Sequence, residues 1–535
     1  MLFRSGREGV GLYQAPEGLL EQKIAIIWQE LLKIEKVGRN DNFFSLGGDS
    51  IISIQLVARA RRLGINFDVK QVFATPTVHG LAANSTSAEI ESISQELMSG
   101  HVPLLPIQSW FFERDLYDKN HYNQSMWFIP RELLSEKGKS YLRQKLFDIY
   151  DHHDTLRLRY KKENGSIVQY YADSNPFCMD EIRLDSWNNI DKYCTKIHES
   201  LDIINGPLSK LVWFESNEKQ GLFWVIHHLL VDGVSWRILL DDLNSSTLAR
   251  KTYSYQAFAE YVINRKDLDK TIAYYQNKQV EPIVRDYELK DNEVIVQNHA
   301  SISLSKQDSQ DFIQRVQSSY NTQANDLLLT ALVMSIGKYT GKYSLWLDLE
   351  GHGREGSLNV SRTLGWFTTV YPVYLHITDP SNLASCIKAI KEQLREIPEK
   401  GFGYGIATYQ KKFFRIESNI VFNYLGQWDA SGRQGSNFSF GYMPKGRNTS
   451  KKNKPSHAII INGGIQQGKL EFKFSYTQEF SQQSIESIAN EFKHSLKVLI
   501  KHCLNSNNYG YTPSDFEFVT LSDDDIEYIV EDMDE

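Results

Sequence analysis

Apolar residues recur at helical spacing near the start of the chain. Leu19, Leu20, Ile24, Ile27, Trp28, Leu31 and Leu32 follow the period of one buried helix face. Gly38, Asn40, Asp41 and Asn42 break the pattern into a loop. Asp49 and Ser50 then open a second helix with Ile51, Ile54, Val57 and Ala60 among its apolar positions. Asp49 is a natural N-cap and Gly64 a natural stop. A short helix over 69–74 and another after Pro76 complete an all-α four-helix unit over residues 17–83. From Val102 the texture changes to helices alternating with apolar strands at 222–229, 344–350 and 420–425, an α/β pattern running to about Phe516. That length exceeds what one core usually holds. The pattern therefore predicts two lobes, 102–285 and 286–516, with the polar stretch 281–298 as the crossover between them.

Length supports this division: 535 residues suggest about three folding units. Lys+Arg is 59 against 66 for Asp+Glu, a net charge of −7, so nucleic acid is not an expected partner. Hydrophobic residues are 41% and aromatics 12%, enough for large packed cores. The longest apolar run, about 327–336, is too short to span a bilayer, and residues 1–10 hold no apolar signal-peptide core. The four cysteines lie far apart, with no CxxC and no zinc spacing. They read as buried free thiols of a reducing compartment, which makes the expected location cytoplasmic. No repeat of 20–50 residues is present. Residues 1–16, with Gly6, Gly9, Gly11 and Pro16, read as a tail, and 84–101 as a Ser- and Glu-rich linker. Residues 521–535 carry eight acids and no base, with Ile526, Tyr528, Ile529, Val530 and Met533 between them. The 517–535 segment is thus a solvated tail or a candidate docking segment. Lys445, Arg447, Lys451, Lys452 and Lys454 form a basic run, a solvated loop or a docking point for an acidic surface.

Three strings carry candidate chemistry. In Asp41-Asn42-Phe43-Phe44-Ser45-Leu46-Gly47-Gly48-Asp49-Ser50, the glycines let another protein approach the backbone closely. Ser50 sits at a helix N-terminus, which favours a phosphodiester, and Asp49 gives an acidic edge that a metal-dependent transferase could read. In His227-His228-Leu229-Leu230-Val231-Asp232-Gly233, strand alternation sends the two histidines to opposite faces. One reaches a cleft as a base of suitable pKa and the other anchors the structure. Asp232 holds the turn by accepting backbone or Arg hydrogen bonds, and Gly233 permits a tight exit into a helix. Adjacent histidines cannot chelate from one strand face, so no metal site is expected. In the second lobe, Leu345, Leu347 and Leu349 alternate with Trp346, Asp348 and Glu350. Glu350 ends that strand before a Gly-rich turn, where an apolar cleft raises a carboxyl pKa and makes it a proton donor and acceptor.

The first string and its helical unit resemble a peptidyl carrier (thiolation) domain of a nonribosomal peptide synthetase. The resemblance implies 4′-phosphopantetheine carried on Ser50. Tyr13-Gln14-Ala15-Pro16 resembles the linker that follows an adenylation domain, so 1–16 is expected to be a remnant of one. The second string resembles the shared signature of condensation and epimerization domains, over about 102–516. It implies an α/β (α+β) two-lobed, chloramphenicol-acetyltransferase-like pseudo-dimer in which the second histidine, His228, is catalytic. Glu350-Gly351-His352-Gly353-Arg354-Glu355 resembles the epimerization string that condensation domains lack. Further segments resemble the remaining motifs of that domain. They are Pro106-Ile107-Gln108-Ser109-Trp110-Phe111, Asn123-Gln124-Ser125, His152-His153-Asp154-Thr155-Leu156-Arg157 and Arg362-Thr363-Leu364-Gly365-Trp366-Phe367-Thr368, together with Gly401-Phe402-Gly403-Tyr404-Gly405, Phe422-Asn423-Tyr424-Leu425-Gly426-Gln427 and Thr512-Pro513-Ser514-Asp515-Phe516. The resemblance places Asn423 and Tyr424 at the site, whereas strand alternation sends them to opposite faces unless the strand bulges.

The expected enzyme is an amino-acid epimerase, an isomerase module inverting the α-carbon of an aminoacyl or peptidyl thioester. One of His228 and Glu350 removes the α-proton and the other returns one from the opposite face. The sequence leaves open which takes it from the L form. In one arrangement Glu350 is the base with protonated His228 stabilising the enolate, and Tyr424 or Asn423 hydrogen-bonds the enolate oxygen. Implied partners are an upstream adenylation domain, a phosphopantetheinyl transferase and a downstream condensation domain met in trans through the C-terminal tail. The competing readings are a condensation domain forming peptide bonds and a catalytically silent carrier and docking module.

Overall fold

Four helices pack around Trp28, Phe43, Leu56 and Leu81 at the start of the protein. They are Gly18–Leu32, Ser50–Arg62, Val69–Ala74 and Val78–Asn84 in this computed structural model, which describes residues 13–87, 93–276, 278, 283–289, 296–427 and 436–516. The helical spacing of the first segment is realised from Ile24 onward. Ile24, Ile27, Trp28 and Leu31 are buried, whereas Leu19 lies in the first turn, short of the core, and stays exposed. Asp49 caps the second helix, its Oδ1 accepting from the N–H groups of Ile51 and Ile52 at 2.9 and 2.7 Å. The acidic segment 517–535 and most of the tail 1–16 lie outside the described residues.

The rest of the chain builds two large sheets with helices packed on them, and a small three-stranded one of His101–Val102, Ser166–Tyr171 and Leu158–Glu163. One has five strands in the order Phe438–Gly441, Asn123–Pro130, Gln220–His227, Ser209–Glu215, Met179–Arg183. The other has six, in the order Gln297–Ser303, Lys469–Thr477, Ile459–Gln466, Ile420–Gln427, Ser344–Gly351, Thr369–His376. The central strand Gln220–His227 is buried on both faces. Leu222, Trp224 and Ile226 enter one core, with the helices Glu136–His152 and Gly233–Asn244, while Phe223 and Val225 enter another. The six-stranded sheet packs on Ala324–Thr340, Leu383–Arg395 and Gln482–Cys503. The halves are not cleanly separated in sequence. Strand Phe438–Gly441, from the second half, pairs with Asn123–Pro130 and completes the first half's sheet. Val360, Leu364, Trp366, Phe367, Phe402 and Ile406 likewise belong to the first half's core. A strand's partner across 300 residues leaves no local signature, so a boundary drawn on composition misses the exchange. Three of the four cysteines are buried, but Cys178 is exposed. No helix among the described residues is long and apolar enough to cross a membrane.

Buried ion pairs join the halves: Arg362 reaches Asp241 and Asp242, and the most deeply buried pair is Asp232 with Arg354. Asp232, which caps helix Gly233–Asn244, takes Arg354 of the second half at 2.6 and 3.1 Å. The two side chains are 5% and 1% exposed. Asp232 also accepts from the backbone N–H of Phe367 at 3.2 Å and from Ser235. Removing one member of such a pair leaves an uncompensated buried charge. Arg354→Ala is expected to cost about 3–5 kcal/mol in urea unfolding of the large domain. A loss below about 1 kcal/mol would contradict this role.

Candidate active site between the two halves

The two adjacent histidines part company at the end of strand Gln220–His227. His227 is fully buried. Its Nε2–H donates to the Lys119 carbonyl at 2.9 Å and its Nδ1 accepts from the Leu229 N–H at 3.2 Å. Desolvation drives its pKa down to about 3, so it is a neutral anchor. His228 starts the short turn His228–Leu230 and is only partly buried. Its Nδ1 faces the Val231 carbonyl at 2.8 Å and must carry the proton. The lone pair is therefore on Nε2, where Gln124 Nε2 donates at 2.9 Å. The Trp236 indole donates to Gln124 Oε1 at 2.7 Å, which fixes that amide. Trp366, from the second half, lies against the imidazole with ring centres 4.2 Å apart, and Tyr122 stacks at 5.7 Å. Burial holds the His228 pKa below its ordinary value. His228 is thus a neutral imidazole whose single lone pair is held by the Gln124 amide, and it becomes a proton acceptor once that amide is displaced.

Glu350 comes from the other half. On strand Ser344–Gly351, Leu345, Leu347 and Leu349 point into the second core, which leaves Asp348 and Glu350 on the opposite face. Glu350 Oε2 accepts from Asn423 Nδ2 at 2.7 Å on the adjacent parallel strand. Burial pushes its pKa up to about 7; Asp348 adds to the rise and His457 opposes it. Tyr122 is a shared neighbour: it stacks on His228, and the Glu350 charge, after desolvation, helps to raise its own pKa. The chain leaves the strand through Gly353, whose φ is +67°. A Cβ there would stand 1.6 Å from the Phe367 carbonyl oxygen, so only glycine lets the turn pass. That turn delivers Arg354 to Asp232.

The strand Ile420–Gln427 carries the remaining pair of candidates. Its register slips after Tyr424, where Gly426 takes φ +66°. The slip comes too late to bring both side chains to one face. Asn423 meets Glu350. Tyr424 packs on the second core, edge-on to Phe312 at 6.4 Å, where burial and the charge of Asp49 raise its pKa. The structure thus joins Asn423, and not Tyr424, to the carboxylate.

The four-helix domain rests against the end of this same strand. Gln427 Nε2 donates to the Gly47 carbonyl at 3.0 Å. The Asp49 carboxylate lies on Gly426, where a Cβ would come within 2.1 Å of Oδ2. Arg237 donates to the carbonyls of Leu425 and Gln427 at 3.2 and 3.3 Å. Burial raises the Asp49 pKa, and the Arg237 charge is the largest influence pulling it back. Ile54 joins the first half's core, and Arg62 pairs with Asp241 at 3.1 Å. Ser50 itself is exposed at the helix N-terminus, open to attachment of a group. The basic run lies elsewhere. Lys454 pairs with Asp115, Arg447 with Glu199, and Lys452 meets Tyr117. Among the described residues, no three His, Cys, Asp or Glu side chains are grouped to hold a metal. Gln124, Tyr122, Trp366 and Arg237 went unrecognised as parts of the site. Gln124 and Trp366 lie within strings already marked, but nothing local tells which ring or amide reaches a histidine across the fold.

Comparison with known proteins agrees with this geometry. A family model described as "Condensation domain" matches residues 98–521, and one described as "Phosphopantetheine attachment site" matches 22–84. The latter makes the four-helix unit a domain that carries covalently bound 4′-phosphopantetheine. Surfactin synthase subunit 2 of Bacillus subtilis (strain 168) is 35% identical over 97% of this chain and 15% of its own length. Tyrocidine synthase 1 of Brevibacillus parabrevis is 33% identical over 97% of this chain and 51% of its own. The chain therefore spans about half, or much less, of the length of these relatives. Among solved structures, the epimerization domain from the third module of tyrocidine synthetase B is 30% identical with a TM-score of 0.70, covering 77% of this chain and 98% of that one. The condensation domain from Monacolin K polyketide synthase MokA has a TM-score of 0.63 at 12% identity, covering 76% and 99%, a likeness of fold.

Gly426→Ala tests the contact between the domains. The new methyl collides with Asp49, and an L-residue at positive φ costs about 1–2 kcal/mol locally. The four-helix domain is expected to come off this face, raising the radius of gyration in solution scattering. An unchanged radius would contradict the contact.

Proposed function

The chain belongs to the condensation-domain family and carries its own phosphopantetheine-attachment domain, and from that premise we propose that it inverts the α-carbon of an aminoacyl or peptidyl group held as a thioester on Ser50. The observation that carries this reading is Glu350. Burial holds its carboxyl near neutrality, in the half opposite His228. Bond formation between two substrates would use His228 and leave that carboxyl idle.

The phosphopantetheine arm on Ser50 supplies the thioester, whose carbonyl acidifies the neighbouring α-proton. The chain's own residues do the rest. Once the Gln124 amide gives up its hydrogen bond to Nε2, His228 takes the α-proton on one face and protonated Glu350 returns one on the other. The reverse reaction starts from protonated His228 and ionised Glu350, a state holding the same number of protons. The opposed pKa shifts favour the neutral pair at rest, so His228 opens as the base and Glu350 as the acid. Asn423 occupies one carboxyl oxygen and leaves the other for the substrate. Tyr424 faces away, so a role at the enolate oxygen is not supported for it. The docked domain sits at Gly426 and Gln427, three to four residues along the strand from Asn423, about 10–13 Å.

In this reading an adenylation domain charges the thiol, a phosphopantetheinyl transferase modifies Ser50, and a downstream condensation domain accepts the inverted residue, in trans through 517–535. The condensation-family match favours peptide-bond formation as the second reading, and a product that requires a second carrier would mark it.

The test is α-proton washout. The chain is loaded by a transferase from aminoacyl or dipeptidyl coenzyme A, incubated in D2O, hydrolysed and resolved on a chiral column. Mixed L and D product with one deuterium gained is expected. Ser50→Ala should abolish loading and keep the fold. His228→Ala and Glu350→Ala should load normally and lose at least ~10²-fold in exchange. Purely L, unlabelled product, or wild-type exchange in both variants, would contradict the proposal.

A further inference from the structure

The three residues before the short helix Phe402–Gly405 take a backbone that few side chains accept. Glu399, Lys400 and Gly401 follow one another at φ +48°, +51° and +78°. Two of the three are not glycine, and a left-handed backbone is costly for each of them. At Gly401 glycine is required, since a Cβ would stand 2.0 Å from the Tyr371 ring. The Glu399 carboxylate is held by Arg265. What this turn aims at the four-helix domain is the side chain at its centre, Lys400. Its Nζ lies over the Phe73 ring, 3.8 Å from the ring centre. Phe73 is near the end of helix Val69–Ala74 and stacks on Phe44, with centres 4.7 Å apart. The chain then runs beside the loop that leads to Ser50. The Phe43 N–H donates to the Pro76 carbonyl at 2.7 Å, and Asn42 bridges to Thr77. Ile51, next to Ser50, and Val69, one turn before Phe73, both pack on the core of the first half. Lys400 therefore stands at the Ser50 end of the four-helix domain, on the face turned to the two halves.

The cation there has a like neighbour and no counter-ion in contact. Lys70, beside Val69, repels it across the junction. Among the described residues, neither ammonium is paired with a carboxylate. Glu355 attracts Lys400 from a distance, but its carboxylate faces His352 at 3.4 Å. Lys400, Lys70 and Ser50 are all exposed, so a group attached to Ser50 has access to both ammoniums. Two like charges brought together by docking oppose it until an anion lies between them.

We propose that Lys400, with Lys70 beside it, binds the phosphodiester that joins the phosphopantetheine arm to Ser50, so that attachment of the arm itself tightens the docking of the four-helix domain. An ammonium gives such an anion a charge-assisted hydrogen bond. The strained turn keeps Lys400 at the junction before the arm is attached. The inference needs only the attached arm, and it is the same whether the cleft inverts an α-carbon or forms a peptide bond.

The test reads backbone hydrogen exchange by mass spectrometry over 69–74 in the full chain, before and after a transferase attaches the arm from coenzyme A. In the wild type, attachment is expected to slow exchange there about tenfold or more, the size of one hydrogen bond to a charged group. High salt should shrink the effect. Lys400→Gln should remove most of the difference between the two forms, and Lys400→Arg should keep it. Phe73→Leu removes the ring and leaves the ammonium, so it should loosen both forms alike and keep the difference. The comparison is made within each variant, so a general loss of stability does not mimic it. Equal exchange with and without the arm in the wild type, or a difference that survives Lys400→Gln, would overturn the inference. So would an equal loss of protection in both forms of Lys400→Gln, which would reduce Lys400 to its contact with Phe73.

Discussion

Asp232 and Arg354 meet in the interior between the two halves, each one short turn beyond a titratable group of the site. Burying two charges is expensive, and the pair brings little net stability relative to an apolar replacement. What it fixes is position. Asp232 lies four residues after His228, and Arg354 lies four residues after Glu350. Each half thus presents one proton-transfer group and, one short turn later, its share of the lock. Asp232 at the same time caps helix Gly233–Asn244 and holds the Phe367 N–H, one residue from the Trp366 ring that covers His228. A shift of either turn would move the histidine, the carboxyl and the ring between them.

Closure has an electrostatic consequence. Desolvation disfavours whichever form is charged, so it lowers an imidazole and raises a carboxyl. Here it acts on both at once, in opposite directions. The carboxyl then holds its proton more tightly than the imidazole does, the reverse of the free groups, and neither group is charged at rest. Gln124 and Asn423 then orient the groups: one donates to the His228 lone pair and the other to a Glu350 oxygen. The carrier contact belongs to the same frame, because Arg237 lies on the helix that Asp232 caps and holds the bulged strand end on which Asp49 rests.

Much of this is legible in local sequence. The four helices, the Asp49 cap, the opposed histidines and a carboxylate at a strand's end all follow from spacing of 3.6 or 2 residues. The side chains of Asn423 and Tyr424 do part, as alternation requires, because the bulge begins one residue too late to reunite them. Other features have no local signal. The pairing of Phe438–Gly441 with the first half is a contact across 300 residues. Gln124, Tyr122 and Trp366 are ordinary core residues until the fold sets them against His228. The face used by the four-helix domain is part apolar and part charged. It is not the basic run, three of whose five cations, Lys454, Arg447 and Lys452, meet Asp115, Glu199 and Tyr117 instead.

The account stands on a carboxyl that stays protonated near neutrality. The direct measurement is an infrared pH titration of the carboxyl band in the intact protein, taken as the difference between wild type and Glu350→Gln. The structure predicts a protonated carboxyl that titrates with a midpoint of about 7. A midpoint in the ordinary glutamate range, about 4.3, would mean that the cleft is open to water at Glu350. The acid–base pairing with His228 would then fall.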